Sequence, residues 1–280
     1  HVSTYDHLEA WDATGRRLPA RMAMHGKAIA LEVDDRDARY PVTVDPTFTE
    51  QQKLTPSGTV SFDIGIATSS DGNIAMLGTS NVNVGTAIGA GQVYFYTRSG
   101  MWGSEKSLSA GTPETDGRFG YSVSISSDGN TAIVGAIGAS TNTGAVYFYT
   151  RSGGTWGGEQ KIQASDGKSG DYFGWSVAIS GDGNTAAVGA SEASPDGVTS
   201  AGAVYVYTRS GGTWGGEKKI MIVDKKSGDR LGSTVSISGD GNTVIAGAPT
   251  SGPDMVRMAG AAYVYTRSGG TWGGEQKIQA

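Results

Sequence analysis

The sequence predicts an all-β protein: a β-propeller of four-stranded blades, with four repeat units present and further blades expected to complete a larger ring, preceded by a small β-rich segment. Three observations carry this expectation. The phrase RSGGTWGGEQKIQA stands at Arg151–Ala164 and again, letter for letter, at Arg267–Ala280, with a near copy from Arg209 and a worn one from Arg98. Tryptophans Trp102, Trp156, Trp214 and Trp272 and turn aspartates Asp71, Asp128, Asp182 and Asp240 recur at intervals of about 55 residues, close to the length of a propeller blade and too long for a simple solenoid coil. Glycine is in excess, with 45 glycines against 8 prolines and an apolar fraction of 37%, yet it follows no Gly-x-y period. That pattern marks turns in a folded domain rather than collagen or disorder.

The chain begins with a segment of another kind. LEAWDATGRRLPA and KAIALEVDDRDARYPVTVDP show alternating strands around turns but no blade pattern, so residues 1–46 are expected to be the tail of an upstream β-sandwich-like domain, with Pro46–Glu50 as linker. Residues 47–280 are assigned to the propeller, in units at roughly 51–108, 109–164, 165–222 and 223–280.

The third unit shows how each divides. Phe173, Trp175, Val177 and Ile179 alternate with Gly174, Ser176, Ala178 and Ser180, a period of two that predicts a strand with its large side chains on one face. Ser180-Gly181-Asp182-Gly183-Asn184 supplies a hairpin turn, and Thr185–Ala190 a second strand of small and β-branched residues. Ala203–Thr208 is rich in strand formers. The loop Arg209–Gly216 then leads to a polar fourth strand, Glu217–Ile220. Apolar strands with a polar outer one suit blades stacked face to face with a guarded edge.

Phe173-Gly174, then Val188-Gly189-Ala190, then Gly202-Ala203-Val204-Tyr205-Val206-Tyr207 resembles the FG-GAP repeat, the blade unit of the integrin α-subunit propeller and of many large secreted bacterial proteins. The marks recur at Phe119-Gly120 with Val134-Gly135-Ala136, and altered at Leu231-Gly232 with Ala246-Gly247-Ala248-Pro249; the first unit, with Phe62-Asp63 and Leu77-Gly78-Thr79, diverges most. Tyr40–Pro46 resembles a segment that precedes repeat regions in large bacterial surface proteins. The family often holds calcium in the loop between strands one and two. Here Ser126–Asn130 and Ser180–Asn184 offer one carboxylate each, too few for an ion that takes six to eight oxygens. No metal site and no cofactor is expected.

The remaining chemistry is sparse. The only histidines, His1, His7 and His25, lie outside the repeats, and the glycine-rich runs lack the lysine of a phosphate loop. With no nucleophile–base pair or metal cluster in evidence, an enzyme is not expected. The net charge of −5, with basic residues scattered singly, argues against nucleic acid. No apolar run reaches a membrane span. Cysteine is absent, which excludes a disulfide framework. His1 in place of Met, with no signal-peptide pattern after it, predicts a processed product or an excerpt of a longer chain.

Features shared by all four units serve the scaffold, whereas the loops between strands two and three differ most. The resemblance implies that such loops, with those joining successive blades, line the ligand face. Asn81, Asn142, Asp196 and Asp254 on these loops are therefore candidate contacts. Trp102, Trp156, Trp214 and Trp272, read as lying in the hairpin loop between strands three and four, are expected either to anchor that turn or to stack on sugar rings. The predicted function is an extracellular or cell-surface interaction, adhesion or assembly module with a protein or glycan partner, the alternative being a lectin-like propeller using those tryptophans. Because Gln51–Leu54 copies the fourth-strand phrase, it is expected to pair as the outer strand of a final blade beyond these four, supplied by the same chain or another.

Overall fold

In a computed structural model, residues 8–25, 28–46, 52–56, 64–251 and 259–278 are described. The chain divides into two compact units, His1–Leu54 and Thr55–Ala280. The division therefore falls beyond Pro46, and Gln52–Leu54 belongs to no strand.

The first unit holds strands β1 (Leu8–Trp11), β2 (Arg17–Leu18), β3 (Ala20–His25), β4 (Ala28–Val33) and β5 (Thr43–Pro46). β1 lies between β2 and β5 in an antiparallel sheet, and β3 and β4 form a separate hairpin. Buried Asp12 ties the β1–β2 turn together. It accepts the Thr14 hydroxyl at 2.6 Å and the backbone N–H groups of Thr14, Arg16 and Arg39 at 2.9, 3.1 and 3.3 Å.

The second unit contains four antiparallel four-stranded sheets, each in simple sequential order. The first is β6 (Ile64–Thr68), β7 (Ile74–Thr79), β8 (Gln92–Ser99) and β9 (Met101–Leu108). The second is β10 (Phe119–Ile125), β11 (Thr131–Ala136), β12 (Ala145–Ser152) and β13 (Thr155–Ile162). The third is β14 (Ser176–Ile179), β15 (Thr185–Ala190), β16 (Ala203–Ser210) and β17 (Thr213–Ile220). The fourth is β18 (Thr234–Ile237), β19 (Thr243–Ala248), β20 (Ala261–Ser268) and β21 (Thr271–Ile278). These are propeller blades, and their first strands pack against one another in series, β6 on β10, β10 on β14 and β14 on β18. Among the described residues no contact of similar extent joins the fourth blade to the first.

Two local features depart from the sequence expectation. The period-two run through Phe173 and Trp175 is broken, because Gly174 has φ +93° and the strand begins only at Ser176. Phe173 turns into the core while Trp175 stays partly exposed. The tryptophans lie in the fourth strand rather than in a loop. Gly211 and Gly212, at φ +58° and +85°, close a two-residue hairpin turn that needs positive φ at both positions, so Trp214 pairs with Arg209 inside the sheet.

The blades meet through glycine. A Cβ on Gly78, Gly135 or Gly189 would lie 2.0, 2.2 or 2.0 Å from the carbonyl oxygen of Gly120, Gly174 or Gly232 in the next blade. No side chain fits at such a distance. The Ser122 and Ser176 hydroxyls donate to the same carbonyls of Gly174 and Gly232 at 2.7 and 2.8 Å. Below, the inner turns join by backbone hydrogen bonds: Ser70 N–H to Ser127, Ser127 N–H to Gly181 and Gly181 N–H to Gly239, at 3.1, 3.0 and 2.9 Å.

Those turns are built by the recurring aspartate. Asp128 Oδ1 accepts from the Ser126 hydroxyl at 2.5 Å and from Asn130 N–H at 2.9 Å, and the same pattern holds at Asp71, Asp182 and Asp240. The Ser69 and Ser238 hydroxyls hold Asp71 and Asp240 below the usual carboxylate range. At Asp128 and Asp182 burial pushes the other way, and the serine and asparagine donors outweigh it.

Gly189→Ala, which drives a methyl into the Gly232 carbonyl, is expected to cost about 3 kcal/mol or more in denaturant unfolding. Gly247→Ala meets only the Thr234 side chain of its own blade and is expected to cost about 1 kcal/mol. Because the turn aspartates titrate lower when folded, their contribution is complete above the unfolded value near 4 and is lost as pH falls through the depressed folded values. Thermal melts between about pH 6 and pH 2.5 are expected to show a falling midpoint. Ser69→Ala with Ser238→Ala should lower the midpoint at neutral pH and shrink that fall.

Candidate functional site

The second, third and fourth blades open where the first strand is fed by the chain from the previous blade, and the residue before the FG pair is held in the left-handed region. Arg118, Tyr172 and Arg230 have φ of 54°, 53° and 59°, a conformation that costs a non-glycine residue on the order of 1–2 kcal/mol. Loop-to-linker hydrogen bonds impose it. Arg118 N–H donates to Gly89 and Phe119 N–H to Ala90, at 3.1 and 2.8 Å; Tyr172 N–H donates to Asn142 and Phe173 N–H to Thr143, at 3.1 and 2.9 Å; Arg230 N–H donates to Ser200 and Leu231 N–H to Ala201, at 3.1 and 2.9 Å. The loop between strands two and three of one blade is thereby stitched to the entry of the next, and both belong to one face.

Further left-handed residues gather there. Asp116, Ser140, Thr141, Asn142, Asp196 and Ser200 all have positive φ. Paired charges brace the same region. Lys161 reaches Glu114 at 2.8 Å, Lys219 reaches Asp166 at 2.7 Å and Lys225 reaches Asp196 at 2.8 Å. Burial raises the Glu114 and Asp166 carboxyls, but the lysines and neighbouring donors bring both below their ordinary values. The Lys225 side chain directly lowers Asp196.

Of the candidate contacts, Asn81, Asn142 and Asp196 are exposed on this face, and Asp254 lies outside the described residues. The Asn142 carbonyl accepts from both Gly170 and Tyr172. Between the loops stands a feature not singled out from the sequence, a cluster of three partly exposed aromatic rings. Tyr121 lies 5.2 Å from Trp175, and Tyr172 lies 6.1 Å from the same ring, centroid to centroid. The signal was available: Trp175 falls outside the tryptophan repeat, and the position after the FG pair reads Tyr121, Trp175 and Ser233 in successive units.

The repeated tryptophans sit elsewhere, at the outer rim of the joints. Trp156 stacks on Phe95 of the preceding blade at 4.3 Å, and Trp214 on Phe148 at 4.0 Å. They are 9% and 4% exposed. Trp102 and Trp272 are partly exposed, with Arg98 and Arg267 over their rings at 5.5 and 5.4 Å. The rest of the phrase serves the same joint. Glu159 and Glu217 accept from Tyr149 and Tyr207 of their own blades and from the N–H of Gly111 and Ser165 in the incoming linkers. Burial, then these carboxylates, push the two phenols far above the ordinary tyrosine range. Gln160 clasps the Trp214 backbone in both directions, accepting from its N–H at 2.8 Å and donating to its carbonyl at 2.7 Å.

Among the described residues no three His, Cys, Asp or Glu side chains group as metal ligands, and no helix is long and apolar enough to cross a membrane. His1 and His7 lie outside the described residues. The arrangement offers hydrogen-bonding loops and exposed aromatic rings on a rigid frame.

The chain is similar in structure to hydrazine synthase of Kuenenia stuttgartiensis, at 17% identity and a TM-score of 0.47 over 81% of this chain and 53% of that one. It is likewise similar to a putative TolB from Agrobacterium tumefaciens, at 13% identity and 0.46 over 95% and 67%. A third similarity is to the periplasmic gluconolactonase PpgL of Pseudomonas aeruginosa, at 15% and 0.49 over 98% and 67%. The chain thus spans about half the length of the hydrazine synthase chain. No curated protein matches it. The FG-GAP repeat family matches residues 102–149, 156–207 and 214–265. These matches cover more than half of the sequence, and each runs from the tryptophan of one fourth strand through the FG entry of the next blade into its third strand, so the chain belongs to the FG-GAP repeat family.

Proposed function

We propose that this β-propeller is a non-enzymatic interaction module, extracellular or at the cell surface, that engages a protein or glycan partner through its loop face for adhesion or assembly. The observation that carries this reading is the separation of roles within the repeat. Residues common to the units are consumed in the joints, whereas Tyr121, Trp175, Asn142 and Asp196 differ from unit to unit and gather on the face where the strained loops meet. A partly exposed aromatic cluster beside polar loops is the composition of a recognition surface, since aromatic rings supply contact area at little entropic cost. The alternative, a lectin using all four repeated tryptophans, asks those indoles to stand out, and two of them are taken up by stacking between blades.

The test uses beads coated with the protein and counted on cell surfaces. Tyr121→Ser with Trp175→Ser installs the residue that the fourth unit carries at that position, Ser233, and Asp196→Asn removes the loop charge. The triple variant is expected to melt like the parent and to lose most attachment. Attachment unchanged in the variant, or no attachment by the parent, would overturn the proposal.

A further inference from the structure

The three joints between blades are not equal. Trp214 meets both Phe148 and the Gln160 clasp and is 4% exposed, whereas Trp156 meets Phe95, with Lys106 at the clasp position, and is 9% exposed. Trp272 meets neither partner. Val206 stands where the other joints carry phenylalanine, and Lys218 stands at the clasp position. A lysine carries only donors and cannot hold a backbone N–H and carbonyl together. Trp272 is accordingly the most exposed of the three, packed at the margin of the core that contains Val206 and with the Arg267 guanidinium over its ring at 5.4 Å.

Beside it runs a groove of about 510 Å³, lined by Lys218, Val223, Lys225, Tyr265, Trp272 and Glu275 among others. Its lysines are paired, with one exception, and its carboxylate is hydrogen-bonded to neutral donors. Lys225 is held by Asp196, Lys219 by Asp166, and Glu275 accepts from Val223 N–H at 3.0 Å and from the Tyr265 hydroxyl at 3.2 Å. Lys218 is exposed and has no acidic partner among the described residues. The groove therefore offers the part of the indole that Arg267 does not cover, next to the exposed ammonium of Lys218.

We propose that this open joint binds a hexuronate unit of an acidic polysaccharide, its pyranose face against Trp272 and its carboxylate on Lys218. Glu275, which also lines the groove, repels the carboxylate and so biases which way round the sugar lies. A ring with an apolar face and a single charge at its edge matches both features, whereas an acidic peptide matches only the lysine. The aromatic cluster of the loop face does not line the groove, and Tyr121→Ser with Trp175→Ser, leaving Asp196 in place to hold Lys225, is expected to keep the site.

The test is a tryptophan-fluorescence titration of the 280-residue chain with trigalacturonate, using a neutral trisaccharide and hexaglutamate as comparisons. A saturable change with trigalacturonate alone is expected. Val206→Phe with Lys218→Gln rebuilds the Trp214 joint around Trp272; it is expected to raise the melting temperature and to weaken trigalacturonate binding by about tenfold or more. Lys218→Gln alone, which fills no space, is expected to remove the preference for trigalacturonate over the neutral sugar. No saturable change, equal binding of hexaglutamate, or undiminished affinity in the double variant would overturn the proposal.

Discussion

The propeller depends on a contact that has no side chain in it. At each joint the carbonyl of the FG glycine lies where the second-strand glycine of the previous blade would carry a Cβ, as at Gly189 and Gly232. Two sheets brought together at backbone distance leave room for nothing else along that line. The large side chains must therefore sit to either side, which is why Phe119 and Phe173 fill the core inboard and the tryptophans stack at the rim. The glycine excess thus has two sources, the turns that need positive φ and the joints where a Cβ has no room.

The phrase that ends the second unit reads as a list of joint parts. Its glycine pair closes the hairpin, its tryptophan stacks backward, its glutamate collects the incoming linker and a buried tyrosine, its glutamine clasps the blade ahead and its lysine covers a tyrosine ring, Lys161 over Tyr147 at 5.7 Å. A phrase so fully used has little latitude to vary. The loops on the opposite side join the next blade through backbone carbonyls, as at Asn142 and Ser200, which constrains their side chains less.

Repetition made the blades legible in the sequence, because the glycine, aspartate and tyrosine positions recur in register and each has one local physical reason. The placement of the tryptophans was not legible in the same way. A Gly-Gly pair before Trp214 fits either a long loop or a tight turn, and only strand pairing with Arg209 decides between them. The aromatic cluster around Trp175 was hidden for another reason. The alternating pattern assigns Phe173 and Trp175 to one face, and a single positive φ at Gly174 sends them to different places. In the loops, Asn142 was recognisable as variable, but the left-handed run Ser140–Asn142 that presents it arises from hydrogen bonds to Glu114 and to the next linker, which no local motif reveals.

The inner-turn hydrogen bonds have a direction. Ser70 donates to Ser127, Ser127 to Gly181 and Gly181 to Gly239, always from the earlier blade to the later one. The rim contacts are directed too, each tryptophan being received by the blade before it. A blade thus has two unlike faces, and neither complements itself. In the language of assembly symmetry, the contact is heterologous: two such surfaces cannot meet across a twofold axis, and blades of this kind join only front to back, with one sense of rotation running through the whole series.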